Sequence, residues 1–326
     1  MLLALGLTCV LAGGLVLLNY LVDPYDRFGL NRLGVYISAD REFKATEVRR
    51  YPHNALLVGN SRMGVVPADR LNGFRFFNGA IAGASAEETY YFLYHFAHEQ
   101  ELVILGLDLG ACDPPHTKGD LFAPPSCVAV LNNLFNLQTV EYSLRTISDH
   151  QAGLPNPMHP DGTFDMANWV KNADVENPKF RDYQLEQMKR GLDYFTGAPK
   201  EQMSFLARAA ECLRQRGIVC VVVVNPLHEE VAKCFEAPQL RAAAQAWLAN
   251  LKSIFPNVVD LSFSRYGAAE GFFRSDPAHF KPEIAVRMMN TEVIPVALAA
   301  LQRQPARLAT NPPPLQKRLP PPTSGH

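Results

Sequence analysis

Short, uninterrupted apolar runs alternate along this chain with longer segments of helical periodicity. The runs are Ala55–Val58, Leu102–Leu105 and Ile218–Val224, with Arg75–Asn78 as a further strand candidate and Val258–Leu261 as a short fifth strand. Runs this short, apolar throughout and mostly closed by Gly or Asn, predict strands buried on both faces of a parallel sheet. Helical patterns lie between them. Ala86–Gln100 presents Tyr90, Leu93, Tyr94 and Ala97 on one face, and Ser85 with Glu88 forms a capping-box signature at its start. Further helices are predicted around Leu131–Ile147, over Glu201–Arg216 up to the stop at Gly217, over Leu240–Ile254 and over Pro282–Leu301. This alternation predicts an α/β fold, a three-layer doubly wound parallel sheet.

The first run is of another kind. Leu2–Val22 contains no charged residue and is long enough to cross a bilayer as a helix. No basic segment precedes it and no clear cleavage site follows it, which favours an anchor over a cleaved signal peptide. The chain then divides into a transmembrane anchor (1–22), a juxtamembrane connector packing on the domain (23–52), one α/β domain (53–303) with an insertion at 111–200, and a tail (304–326). The tail holds two runs of three prolines and is expected to be disordered. Arg27, Arg32 and Arg41 all follow the span, which by the positive-inside rule alone would put the domain in the cytoplasm.

Composition narrows the partners. The 326 residues carry a formal net charge of −1 and no basic patch, so nucleic acid is not an expected partner. No CxxC or HExxH spacing points to zinc, and no metal or cofactor is expected. Cys212, Cys220 and Cys234 sit in or beside apolar elements as buried thiols. Cys112 and Cys127 flank a Pro-rich loop and would close it as a disulfide in an exported domain.

The candidate chemistry begins where the first strand ends. Ala55–Gly64 reads ALLVGNSRMG, so Ser61 falls at a strand's carboxyl end, the rim where open α/β sheets bind ligands. There it is either the cap of the next helix or a nucleophile beside free backbone N–H groups. A nucleophilic serine needs a base, and the base an orienting carboxylate. Asp276 and His279, three positions apart before the last helix, supply both in a turn; the alternative is a solvated Asp near a helix start. Arg62 either binds a substrate carboxylate or pairs with Asp69. His228 follows a strand and is a candidate site residue, whereas His116, His150 and His159 lie in the insertion and are expected to be solvated.

Three blocks in order resemble the SGNH (GDSL-like) hydrolase and acyltransferase superfamily: Gly59-Asn60-Ser61, Asn78-Gly79-Ala80-Ile81-Ala82-Gly83, and Asp276-Pro277-Ala278-His279. The resemblance spans about His53 to Leu301. It implies a Ser61–His279–Asp276 triad and an oxyanion hole built from the backbone N–H groups of Ser61 and Gly83, with Asn78 at the site. The third family block departs: Gly106-Leu107-Asp108 stands where the family commonly has an amide-donating Asn. An ionised Asp accepts hydrogen bonds and cannot donate one. Asn60 or Arg62 would then assist the oxyanion, and Asp108 would cap its loop or meet substrate.

A span joined to such a domain is similar to the membrane-anchored envelope members that move or remove acyl groups on cell-surface polymers. The leading expectation is therefore an exported serine esterase or O-acyltransferase acting on an acylated envelope glycan, working with a membrane-bound acyltransferase partner. Two rivals stand beside it. One is a non-catalytic protein that holds a glycan or that partner in the same cleft; the other is a cytoplasm-facing lipid esterase.

Overall fold

The computed structural model describes residues 1–36, 40–110, 119–123, 126–154, 156, 158–166, 177–197 and 199–304. Cys112, His116 and the tail from residue 305 lie outside them. In chain order α1 (Leu2–Val22) is followed by α2 (Asp40–Glu47), β1 (Ala55–Val58), α3 (Ser61–Gly64), β2 (Phe76–Asn78), α4 (Ala86–Phe96) and β3 (Leu102–Leu107). The insertion contributes α5 (Cys127–Phe135), α6 (Leu137–Gln151) and α7 (Pro178–Gly191). The chain continues through α8 (Lys200–Gln215), β4 (Val219–Val224), α9 (Glu229–Ala232), α10 (Pro238–Ile254), β5 (Val258–Asp260), α11 (Pro282–Met288) and α12 (Ile294–Arg303).

The five strands form one sheet, all parallel, in the order β2-β1-β3-β4-β5. The apolar runs follow from that position. In β1, Leu56 and Val58 enter one apolar cluster with Phe92, Leu93, Leu206 and Trp247, while Ala55 and Leu57 enter another with Phe272, Phe280, Met288 and Val293. Alternate side chains of a strand point to opposite faces, so a strand with a core on each side must be apolar throughout. Each such buried side chain contributes roughly 1.5–3 kcal/mol. Chain order reverses direction between β1 and β3, which opens a crevice at the carboxyl ends of these two strands.

Several helices differ from their sequence pattern. The buried face of α4 is Phe92, Leu93, Phe96 and Ala97, while Tyr94 is exposed and Tyr90 half-buried against α8. The aromatic positions nearby compete for the same stripe, and Phe92 and Phe96, which carry no hydroxyl to satisfy, win it. The helix expected around Leu131–Ile147 is two helices, α5 and α6, because Asn136 breaks the run and caps α6 by accepting from the Gln138 N–H at 2.9 Å. The last helix widens into a π-turn at Met289–Val293, just ahead of Pro295, whose ring and missing N–H rule out a regular turn there. The capping box at Ser85 and Glu88 forms as expected.

Among the described residues two helical stretches are long and apolar enough to cross a membrane, Leu2–Val22 and Pro282–Arg303. The second belongs to the core, with Ala285, Met288, Met289, Val293 and Ala297 buried. The first, α1, is largely exposed, with Asn19 and Val22 buried near its carboxyl end, and is long and apolar enough to span a bilayer. The connector packs on the domain as expected. Within it α2 buries Phe43 and Lys44, and Arg41 pairs with Glu88 at the start of α4 at 2.7 Å.

Candidate active site

Gly59 ends β1 in a conformation that L-residues avoid. Its φ is +139°, and a Cβ there would sit 2.5 Å from the Gly106 carbonyl oxygen. The chain can turn so close to β3 only without a side chain. Asn60 then caps α3, its Oδ1 accepting from the Arg62 N–H at 3.1 Å. The helix therefore has its cap without Ser61, whose hydroxyl is left for other work.

That hydroxyl lies 3.0 Å from His279 Nε2, and His279 Nδ1 lies 2.8 Å from Asp276 Oδ2. A carboxylate only accepts, so Nδ1 carries the ring proton and Nε2 accepts from Ser61 Oγ. Burial opposes the charge on Asp276, but hydrogen bonding from His279, attraction to its ring and the Ala278 N–H outweigh that and hold its pKa below the ordinary carboxylate value. The carboxylate so stabilised fixes the tautomer in which the imidazole can take a proton from the serine. The three residues that the sequence singled out for a triad are thus brought into contact across 218 residues of chain.

Among the described residues the N–H groups of Ser61 and Gly83 meet no acceptor. The loop from Gly79 to Gly83 is held on both sides: Ala80 N–H donates to Asn78 Oδ1 at 3.1 Å, Ile81 N–H to the Gly59 carbonyl at 2.9 Å, and Ala82 N–H to Asp40 Oδ2 at 2.9 Å.

The other candidates from the sequence serve the scaffold. Asn78 is fully buried and clamps the nucleophile turn, its Nδ2 donating to the carbonyls of Met63, Gly64 and Val66 at 2.8, 3.2 and 3.0 Å. His228 is also buried. It caps α9, accepting from the Glu230 N–H at 3.3 Å, and packs edge-on against Phe272, while burial pulls its pKa down. Neither lines the pocket at Ser61 and His279. Arg62 pairs not with Asp69 but with Asp108, and its Nη2 donates to the Pro226 carbonyl.

Asp108 is the centre of a partly buried lattice that holds Asn60 and Arg62, the residues on either side of Ser61. It accepts from Asn60 Nδ2 at 2.6 Å, from Arg62 Nη1 at 3.2 Å and from Asn225 Nδ2 at 2.8 Å. The Arg62 guanidinium also faces the rings of Phe280 and Phe272 at 5.4 and 5.9 Å. Asn60 Nδ2 and Arg62 Nη1 are held by this carboxylate and Arg62 Nη2 by the Pro226 carbonyl, while the buried Arg62 Nε meets no acceptor among the described residues. Asn225, the residue that stops β4, completes the lattice and was not singled out by the sequence.

A pocket of about 290 Å³ opens on Ser61 and His279. Its remaining lining is Asp40 and Lys44 from α2, Gly64, Val65 and Ala82, and Phe164 and Met166 from the insertion. The insertion is stitched down beside β2: Asn78 N–H donates to the Asp161 carbonyl at 2.7 Å and Phe164 N–H to the Gly64 carbonyl at 2.8 Å. Gly162 makes this possible, with φ at +81° and a Cβ position 2.2 Å from the Asn78 carbonyl oxygen. Gly162→Ala is expected to lower stability by about 3 kcal/mol, because the strand edge cannot yield. Urea unfolding checks this, and a midpoint equal to wild type would contradict it.

Lys44 is completely buried, donates to the Ala80 carbonyl, and has Asp40 and Asp161 nearby. Burial drives its pKa down to about 8, only partly countered by those carboxylates. Between about pH 8 and the ordinary value of 10.5, the unfolded chain holds a proton here that the folded chain has lost. Stability from this group therefore rises with pH across that window. Wild type is expected to gain stability relative to Lys44→Met over this range, measured by urea unfolding at several pH values; a constant difference would contradict it.

None of the described cysteines lines the pocket. Cys212, Cys220 and Cys234 are free and only partly buried, though burial pushes the Cys220 thiol up to about 12. Cys127 is free and exposed. His150 and His159 are exposed in the insertion. Among the described residues no group of three His, Cys, Asp or Glu side chains is placed to share a metal ion. No protein-family model matches the chain, and no curated protein matches it either.

Proposed function

We propose that this chain is a membrane-anchored serine esterase or O-acyltransferase of the SGNH (GDSL-like) type, acting on acyl groups of an envelope polysaccharide on the extracytoplasmic side. The observation that carries the reading is the continuous relay from Ser61 Oγ through His279 to Asp276, at 3.0 and 2.8 Å, opening on a pocket. The order of the three residues in the chain, the strand order of the sheet and the two unengaged N–H groups support it.

In this reading Ser61 Oγ attacks the ester carbonyl while His279 Nε2 takes its proton. The charge that develops on the carbonyl oxygen is met by the Ser61 and Gly83 N–H groups. The alkoxide leaves with the proton from His279, and the acyl group remains on Ser61. Water or a sugar hydroxyl, deprotonated by the same nitrogen, then attacks the acyl-serine and frees the enzyme. Val65, Ala82, Phe164 and Met166 give the acyl chain an apolar wall, and the insertion that supplies two of them limits access of water. Asp108, where the family carries an amide donor, is fully engaged by its three partners. It faces the scaffold, so it does not weigh against oxyanion binding.

Release of 4-nitrophenol from 4-nitrophenyl acetate by the full chain in detergent tests the proposal. Release above the buffer rate, returned to that rate by His279→Ala, is expected. Equal release by both proteins would overturn it and favour a cleft that only binds.

A further inference from the structure

The insertion carries a second apolar surface, away from the pocket and beside α1. No charged residue occurs between Asp120 and Glu141. On α5, Val128, Leu131 and Phe135 are 65%, 52% and 58% exposed, and on α6 Leu137 and Leu144 are 75% and 55% exposed. The α5 spacing is three then four residues, one stripe of a helix. Leu137 and Leu144, seven apart, form the matching stripe on α6. No described residue covers either stripe, although the surface of a monomeric soluble protein seldom leaves so many large apolar side chains together.

The position of this hairpin is fixed by α1. Both helices pack against it. The side chain of Asn19, the polar residue near the end of the span, is fully buried between them: Nδ2 donates to the Leu134 carbonyl at 2.8 Å and Oδ1 accepts from Ser143 Oγ at 2.9 Å. With a rise of 1.5 Å per residue, Asn19 sits about 5 Å inside the carboxyl end of the 21-residue helix. A hairpin that pairs with Asn19 is therefore held at the depth of the headgroup and acyl-chain boundary, where amphipathic helices lie. Tyr20, exposed one residue along, and Tyr25, ring to ring with Tyr142 at 5.9 Å, suit the same level.

We propose that the α5–α6 hairpin is a monotopic membrane element: its stripe of Val128, Leu131, Phe135, Leu137 and Leu144 lies in the lipid leaflet beside α1. The occupant of the apolar face is lipid, because the face is continuous with the span and Asn19 sets its depth. Two contacts at different points then hold the domain in a fixed orientation over the bilayer, and the insertion that lines the pocket is tied to the surface. The inference rests on α1 as a span and is independent of chemistry at Ser61.

The test is fluorescence of the full chain reconstituted in phosphatidylcholine–phosphatidylglycerol vesicles. An environment-sensitive label is placed at Leu131→Cys or Phe135→Cys with Cys9 and Cys127 replaced by Ser, and nitroxide-bearing lipids serve as quenchers. Labels at Leu11→Cys, in the middle of α1, and at Lys252→Cys, exposed on α10, mark the deep and aqueous limits. Blue-shifted emission at 131 and 135, with most of it lost to shallow nitroxides and little change at 252, is expected. Emission like that at 252 would overturn the proposal, and a quenched Leu11 label would show that the span itself stands. Blue-shifted emission that lipid nitroxides leave intact would also overturn it, since a protein surface would then cover the stripe. None of these readings depends on turnover.

Discussion

Ser61→Ala is expected to keep its fold and lose aryl-ester hydrolysis by roughly 10⁴- to 10⁶-fold. The fold is spared because Ser61 holds nothing in place. The α3 cap is Asn60, the turn is clamped by Asn78, and among the described residues the only side-chain partner of Ser61 is His279 at 3.0 Å. Alanine at the first position of a helix carries no penalty in itself. Under the proposed mechanism the rate is not spared, because the oxygen that would form the covalent bond is gone. What remains is oxyanion stabilisation and binding, which together account for about 10³-fold over water in related serine chemistry. Circular dichroism and initial rates in the same detergent check both halves. A variant that hydrolyses at the wild-type rate would remove Ser61 from the mechanism.

Asp108→Ala has the largest expected effect on stability. It removes the only carboxylate among the described residues that meets the Arg62 guanidinium, which is 5% exposed, and it strips Asn60 and Asn225 of their acceptor. A buried cation left without its partner costs about 3–5 kcal/mol. Contact with the rings of Phe272 and Phe280 offsets only a part of that. The discriminating comparison is the double variant Asp108→Ala with Arg62→Met, which removes the stranded charge and is expected to recover much of the loss. Urea unfolding of the two singles and the double measures the coupling. Additive losses would show that the two residues act separately. Asn60 belongs to the same lattice, so Asp108→Ala should also lower turnover by displacing the nucleophile turn.

Elements whose signal is local were legible in the sequence. A strand apolar on both faces can sit only in the middle of a covered sheet, so Ala55–Val58 announced both the parallel fold and the place of Ser61. Asp276 and His279 were legible for a similar reason: a turn of three residues is short enough to bring a carboxylate to an imidazole without help from elsewhere. Polar residues at the strand ends were read less well. Asn78, His228 and Arg62 sit at the rim where ligands bind, but a rim of tight loops has many backbone groups to satisfy, and these side chains satisfy them. Nothing in their types or spacing separates the two uses.

Contributions from distant segments were not legible at all. Asp40 and Lys44 reach the pocket from the connector, and Phe164 and Met166 from the insertion. Their place depends on how those segments dock, which a local pattern does not encode. The one clue was His159-Pro160-Asp161-Gly162, whose glycine marks the close approach to β2 but not its target. Asn136 and Pro295, by contrast, carried recognisable signals for the break between α5 and α6 and for the widened turn before α12.

The most direct test of an activated serine in this site is the intact mass of the full chain after incubation with a serine-reactive fluorophosphonate. One covalent adduct, mapped to Ser61 and absent from His279→Ala, is the result expected from the Ser61–His279–Asp276 relay. A folded wild-type chain that takes up no label, or that is labelled equally when His279 is replaced, would contradict it.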